Sequence, residues 1–412
     1  MVLFTDQRWR FNTVTYYVLI AFCFVILLAY VFDITSKYTK IPGVILLIVS
    51  GIGINLLESF FKIGIPDMSR LLPVIGTLGL ILIVLEGSLD LTLRRDKSRL
   101  IGSSLSSAVL LFGIFIGIFT CISVYFLDFD FKASILNIIP LAVISSAVAI
   151  PSASGLNSAD REFVTYESST SDIIAILLFD FVLLHSGSLG AGILRFFIEM
   201  IITVIASVLF GTGLAVLLHK INHHIKYVII MTSIVMIYAL AKLVHLSSLL
   251  VVLIFGLVMN NNILFQNGVT VKFINFDEFN TDLNAFKNIV AELTFIVRSF
   301  FFILFGYYTK VSDLLSLNNL MISMIIAASI FILRALFFKL ILHTPLNPLL
   351  YFAPRGLITI LLFLAIPSTM LFPFMNVGII TQMIFITILI MALGNILFKS
   401  TDQVTEPEPN NI

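Results

Sequence analysis

The strongest constraint in this sequence is a succession of apolar runs, each about 20 residues long and separated by short polar segments. Hydrophobic residues make up 59% of the 412 residues, and charged residues only 11%. A water-soluble domain of this length has too little interior for so much apolar surface, whereas a helix of such residues spans a bilayer. The runs are also too long and continuous for barrel strands. The sequence therefore predicts an all-α polytopic membrane protein.

Dividing these runs into helix-length pieces predicts about thirteen transmembrane helices. The predicted limits are 14–34, 41–57, 71–92, 100–127, 135–153, 163–186, 191–219, 226–243, 246–261, 283–308, 319–342, 346–366 and 374–398. Lys and Arg are more frequent in the odd-numbered loops, which places the N-terminus outside and the C-terminus in the cytoplasm. Residues 1–400 are thus predicted to form one membrane domain, followed by a disordered tail at 401–412.

Two of the predicted spans, one in each half of the chain, contain helix-breaking sequences. The segment 145–155 includes Pro151, and the segment 345–356 includes Pro354. Because proline lacks an amide donor and clashes with the preceding turn, both helices are expected to kink or unwind. Interrupted helices in both halves are typical of secondary transporters built from inverted repeats, although proline also kinks ordinary membrane helices.

Acidic residues inside the apolar runs are the candidate functional groups, since a carboxylate at membrane depth is costly unless it faces a cavity or a partner. Asp172 and Ser168 are four residues apart and share a helix face, where they offer oxygen ligands and a titratable group to a monovalent cation. A capped helix start is the alternative explanation for this polar stretch. Glu86 follows an apolar stretch, and both a proton-handling role and a structural hydrogen bond fit it.

Arginines inside the apolar runs need partners as well, because a buried guanidinium requires a carboxylate or free carbonyl groups. We predict an ion pair between Glu167 and Arg355. Arg298 is predicted to stabilise the core helices. For Asp180 and Arg334 we favour structural pairs over a role in transport.

These residues carry a resemblance to the monovalent cation–proton antiporter superfamily of sodium–proton exchangers over nearly the whole chain. The segment 167–172, Glu-Ser-Ser-Thr-Ser-Asp, is similar to the family's Glu-Ser-x-x-Asn-Asp element. The segment 353–356, Ala-Pro-Arg-Gly, resembles its Gly-x-Arg-Gly element. Two weaker likenesses are the segment 78–91 around Glu86 and the segment 145–149, which looks like the unwound crossing of the first broken helix.

The resemblance implies that Asp172 binds the cation and the proton alternately, that Ser168 helps to coordinate the cation, and that Glu86 is an auxiliary acid. It also implies two crossed broken helices and a core that moves like an elevator against a dimerisation panel. We assign 71–186 and 283–366 approximately to the core, and the other helices mostly to the panel and linkers.

Two positions depart from the family pattern. Ser171 stands where the family has Asn or Asp before the key aspartate, and Ser145 and Ser146 stand where a Thr-Asp pair is frequent. These three serines are kept as candidate ligands beside Asp172, the predicted monovalent cation site. With a single exchanging carboxylate, the charge count predicts electroneutral exchange.

The sequence thus predicts a secondary antiporter rather than an enzyme, exchanging Na⁺, or alternatively K⁺ or Li⁺, for H⁺ by alternating access. A carrier of an organic anion is the alternative, with the anion at half-helix N-termini and Arg355. A channel and a membrane enzyme fit less well, since neither a filter-like repeat nor a nucleophile–base spacing is visible. We expect no cofactor and no nucleic-acid partner. The protein is expected to be a homodimer in a bacterial inner membrane and to serve in pH homeostasis.

Overall fold

The computed structural model describes residues 3–39, 42–62, 71–90, 98–184, 189–220, 225–244, 246–261, 276–343 and 345–398. All regular structure in these ranges is helical, as predicted. The α-helices are α1 (Leu3–Thr39), α2 (Gly43–Phe61), α3 (Leu71–Asp90), α4 (Ser98–Leu127), α5 (Phe131–Ala142), α6 (Ser146–Ser152), α7 (Ser158–Leu184), α8 (Leu189–Lys220), α9 (Lys226–Leu243), α10 (Ser248–Asn260), α11 (Phe276–Tyr308), α12 (Val311–Leu314), α13 (Leu317–Phe337), α14 (Leu357–Leu364) and α15 (Val377–Leu397). The predicted tail at 401–412 lies outside the described residues.

Nine helical segments of the described ranges are long and apolar enough to cross a membrane, and each coincides with a predicted span. They are Leu19–Ser36, Gly43–Phe61, Leu71–Leu89, Ser98–Leu127, Phe131–Gly155, Lys226–Leu243, Phe279–Tyr308, Leu317–Leu342 and Val377–Leu397. The other four predicted spans fall on α7, which carries several charges, on α8, on the short α10, and on the interrupted segment 346–366. The count of thirteen therefore stays a prediction.

The helices pack in two sets of neighbours. In the first set, α11 packs on α2 and α3, and α10 packs on α3 and α8. In the second set, α7 packs on α4, α5 and α6, while α13 packs on α4 and α15. Contacts of α7 with α3 and α10 join the two sets.

Reciprocal glycines bring α2 and α11 of the first set close together. A Cβ atom at Gly51 would lie 2.1 Å from the carbonyl oxygen of Ile303, and one at Gly306 would lie 2.2 Å from that of Ile48. Any side chain at either position would push the two backbones apart, so this contact depends on small residues, as is common between membrane helices.

Both predicted interruptions are present. The first separates α5 from α6 at 143–145, and the second leaves the chain non-helical from Phe352 to Gly356, between a 3₁₀ turn at Leu349–Tyr351 and α14. The first break lies before the position predicted from Pro151, which sits inside α6.

Candidate functional site

The two interrupted segments meet at one crossing. The amide of Ser145 donates to the carbonyl of Pro354, with an N···O distance of 2.9 Å. Gly356 packs directly on the first segment, because a Cβ atom there would lie 2.5 Å from Ser145 Oγ and 2.9 Å from Val148 Cγ2. This close approach, and not the backbone dihedrals, requires glycine. The starts of α6 and α14 are thereby placed side by side, and both direct the positive end of a helix dipole at the crossing.

Asp172 reaches the crossing from α7 and is only 4% exposed. Its Oδ2 accepts hydrogen bonds from the amide of Ser146 at 3.1 Å and from the Ser146 hydroxyl at 2.5 Å. The carboxylate therefore holds the first turn of α6, where a negative charge is stabilised by free amides. The hydroxyl of Ser171 accepts from the amide of Ile144 at 2.9 Å and fixes the interrupted backbone two residues before Ser146.

The other carboxylate oxygen of Asp172, Oδ1, has no hydrogen-bond partner within the described part of the chain, and the same holds for the hydroxyl of Ser169. Both residues line a cavity of about 10 Å³. The remaining lining residues are Ile83, Val84, Gly87, Ser88, Ser146, Ile173 and Leu253. A space of this size holds about one water molecule or one small ion. Since buried polar atoms are normally paired, a cavity lined by two residues with unpaired oxygens is a candidate ligand site.

Only some of the predicted ligands are at this cavity. Asp172 and Ser146 line it, whereas the Ser168 hydroxyl donates to the carbonyl of Val164 in its own helix, at 2.7 Å. Ser171 lines a separate cavity of about 30 Å³, together with Arg334 and Arg355. Glu86 is half-buried on α3 and lies outside the lining residues of the Asp172 cavity.

Three residues that line the Asp172 cavity were missed by the sequence reasoning: Ser169 on α7, and Gly87 and Ser88 on α3. Ser169 is three residues before Asp172, and this spacing shares a helix face just as the spacing of four does. The signal was therefore in the sequence. Ser145 lies at the crossing, and its hydroxyl has no hydrogen-bond partner among the described residues.

Glu167 forms an ion pair with Arg334, so the predicted pair with Arg355 is wrong. Arg334 Nη1 and Nη2 donate to Oε1 and Oε2 of Glu167 at 2.7 and 2.6 Å. The hydroxyl of Ser107 on α4 also donates to Oε1, and Arg334 Nε donates to the carbonyl of Leu349 at 3.1 Å. Both charged residues are only 1% exposed. The pair therefore ties α4, α7 and α13 to the second interrupted segment.

Arg355 instead caps the end of α5. Its Nε and Nη2 donate to the carbonyls of Leu141 and Ala142 at 2.9 and 3.1 Å, and its Nη1 donates to the carbonyl of Ala353 at 2.8 Å. The last carbonyls of a helix lack partners and carry the negative end of its dipole, so they stabilise a guanidinium without a carboxylate. This is the physical reason why Arg355 does not need Glu167.

Arg298 of α11 contacts the first interrupted segment. Its Nη1 donates to the carbonyl of Ala147 at 3.2 Å. In a regular helix this carbonyl would accept from the amide four residues later, but that residue is Pro151, which has none. Arg298 thus supplies the hydrogen bond that the proline removes.

Comparisons with known proteins agree with this architecture. Residues 20–399 match the family model described as "Sodium/hydrogen exchanger, transmembrane". The structure of the sodium proton antiporter MjNhaP1 from Methanocaldococcus jannaschii at pH 8 aligns with a TM-score of 0.69 and 20% identity, covering 92% of this chain and 98% of that chain. A three-dimensional EM map of the same antiporter aligns with a TM-score of 0.66 and 18% identity, covering 92% and 94%.

No match was found among curated protein sequences. At identities of 20% and 18%, the two solved structures show a shared fold. The family model, in contrast, covers residues 20–399, which is nearly the whole chain. The chain therefore belongs to the sodium/hydrogen exchanger family and is a cation–proton antiporter.

Proposed function

We propose that this protein exchanges Na⁺ for H⁺ at Asp172 by alternating access. The observation that carries the proposal is the Oδ1 atom of Asp172, which is buried beside a small polar cavity and has no partner among the described residues. Li⁺ and K⁺ are the alternative cations. An organic-anion carrier has no support in the family, and the guanidinium of Arg355, its candidate anion site, is occupied by helix carbonyls.

Competition for one carboxylate couples the two fluxes. Ser146 holds Oδ2 of Asp172, so a proton or a cation has one free oxygen to bind. Either occupant neutralises the carboxylate, which then crosses the low-dielectric barrier at low cost. The unoccupied, charged carboxylate does not cross this barrier, because its desolvation costs several kcal/mol. Net transport therefore requires an occupant in each direction.

The position of the cavity supports movement between the two sets of helices. One wall comes from α6 and α7, and the facing wall comes from α3 and α10. A displacement of one set against the other exposes the cavity first to one side of the membrane and then to the other. We place α4–α7 and α13–α15 in the moving core, since packing and the Glu167–Arg334 pair join them. This revises the predicted core by adding α15 and by leaving α3 and α11 to the panel, through which we propose the homodimer forms.

Exchange is proposed to be electroneutral, because Glu167 is bound to Arg334 and leaves Asp172 as the exchanging carboxylate at the crossing. One cation then replaces one proton. A voltage-sensitive dye in proteoliposomes should report no potential during exchange beyond that of protein-free vesicles. A potential that follows the cation gradient would contradict this stoichiometry.

Proton flux in proteoliposomes tests the proposed function. Vesicles that hold the purified protein, a pH-sensitive dye and NaCl are diluted into a Na⁺-free medium, and Na⁺ efflux should acidify the lumen. Parallel vesicles with LiCl and KCl rank the cations. Absence of proton movement with all three salts, or movement driven only by an organic anion, would contradict the proposal. The Lys and Arg distribution supports an orientation with the N-terminus outside and the C-terminus in the cytoplasm, and we propose a bacterial inner membrane as the location.

A further inference from the structure

Two buried oxygen atoms at the Asp172 cavity have no hydrogen-bond partner among the described residues. Ser169 lies one helical turn before Asp172, and its hydroxyl, like Oδ1 of Asp172, lacks a partner in the described ranges. Both side chains are 4% exposed and line the same cavity. Ser168, in contrast, directs its hydroxyl to the carbonyl of Val164.

The wall that faces these two oxygens is formed by small residues of α3. Gly87 leaves space next to Ser169, because a Cβ atom at Gly87 would lie 3.7 Å from Ser169 Oγ. Ser88 is fixed by its hydrogen bond to the carbonyl of Leu85 at 2.8 Å, and it packs on Gly256 of α10 so closely that a Cβ at Gly256 would lie 1.8 Å from Ser88 Oγ. Gly87 therefore leaves open space beside Ser169, and Ser88 holds this part of α3 in close contact with α10.

We propose that Oδ1 of Asp172 and Oγ of Ser169 are ligands of the cation, which is bound in the space that Gly87 leaves free. A carboxylate and a hydroxyl are the hard oxygen ligands that a small monovalent cation requires. Ser169 thus takes the role of hydroxyl ligand that the sequence analysis assigned to Ser168. This inference rests on the proposed function and adds the composition of its site.

Alanine substitutions of single hydroxyls test the inference in proteoliposomes. The half-saturating Na⁺ concentration for proton movement should rise roughly tenfold in Ser169→Ala, because one oxygen ligand is lost. Ser207→Ala removes a buried hydroxyl that donates to the carbonyl of Thr203 in α8, a helix that does not line the cavity, and should leave this concentration unchanged. A rise in Ser168→Ala with none in Ser169→Ala would overturn the proposal.

Closing the cavity gives a second test. Gly87→Ala places a methyl group in a space of about 10 Å³ without a steric clash, and should abolish Na⁺-driven proton movement in a protein that still melts like wild type. Gly113→Ala on α4 is the matched control, since no atom lies within 4 Å of its Cβ position. Wild-type exchange in Gly87→Ala would contradict the cavity as the binding space.

A binding readout separates this inference from the proposed function. Na⁺ should raise the melting temperature of the wild-type protein, and Ser169→Ala should need roughly tenfold more Na⁺ for the same rise. If Asp172→Asn abolishes exchange while Ser169→Ala and Gly87→Ala both behave like wild type, only the inference fails. If Asp172→Asn retains exchange, the proposed function itself fails.

Discussion

Glu167 and Asp172 lie five residues apart on α7 and are almost equally buried, yet their carboxylates have different surroundings. Both oxygens of Glu167 are bound by Arg334, and Ser107 adds a third hydrogen bond. Asp172 has one oxygen held by Ser146, while the other has no partner in the described residues. A permanent cationic partner makes a buried acid structural, and its absence leaves a place for an exchangeable ion. Burial does not distinguish the two carboxylates, whereas the unsatisfied oxygen does, and on this difference we base the proposal that Asp172 exchanges the ions.

Breaking the Glu167–Arg334 pair should have the largest effect on stability. Glu167→Ala or Arg334→Ala leaves one charge buried without its partner, which costs about 3–5 kcal/mol. Thermal melting in detergent, followed by size-exclusion chromatography, should show a large loss of folded protein for each variant. The double variant Glu167→Leu with Arg334→Met removes both charges and should recover much of the loss. Single variants that melt like wild type would show that Glu167 is not structural, and the contrast with Asp172 would disappear.

Removing Arg355 should have an intermediate effect. Arg355→Met leaves the carbonyls of Leu141 and Ala142 at the end of α5 without their donors. This should lower the free energy of unfolding by about 2 kcal/mol, seen as a lower melting temperature. Arg355→Lys should restore part of the stability, because it returns a positive charge to the helix end.

A double-mutant cycle sharpens this assignment. Glu167→Ala should couple more strongly to Arg334→Met than to Arg355→Met in its effect on the melting temperature, because the structure pairs Glu167 with Arg334. Stronger coupling to Arg355→Met than to Arg334→Met would restore the Glu167–Arg355 pair and contradict the structure.

The smallest effect is expected for Arg298, which makes one hydrogen bond to the interrupted segment. Arg298→Met should cost about 1 kcal/mol through the lost bond to the carbonyl of Ala147. In a Pro151→Ala background, the new amide at 151 is placed to bond that carbonyl, so Arg298→Met should cost less there. An equal loss of melting temperature in both backgrounds would contradict the role assigned to Arg298.

The sequence was sufficient for the all-helical membrane architecture and for choosing Asp172 as the candidate exchanging carboxylate. Apolar runs predicted the spans because a bilayer demands length and hydrophobicity, and both can be counted. Asp172 could be chosen as a candidate because a carboxylate in an apolar run is costly unless it faces a cavity or a partner. Prolines indicated both interruptions, although the first break lies at 143–145 rather than at Pro151. At Pro151 the helix continues, and Arg298 donates the hydrogen bond to the carbonyl of Ala147 that the proline cannot donate.

Choices among equivalent partners were beyond the sequence. Arg334 and Arg355 both lie in apolar runs, and only the packing of α13 beside α4 decides that Arg334 reaches Glu167. Ser168 and Ser169 both share a face with Asp172, and the side-chain rotamer decides which hydroxyl turns back to its own helix. Such decisions depend on tertiary contacts that no local pattern encodes.

The most direct test of the account is proton movement by Asp172→Asn in proteoliposomes under Na⁺, Li⁺ and K⁺ gradients. Asparagine keeps the size of the side chain and an oxygen for Ser146, but it has no charge to exchange. We predict a variant that folds and melts like the wild type and moves no protons with any of the three cations. Cation-driven proton movement at a rate near that of the wild type would contradict the central claim.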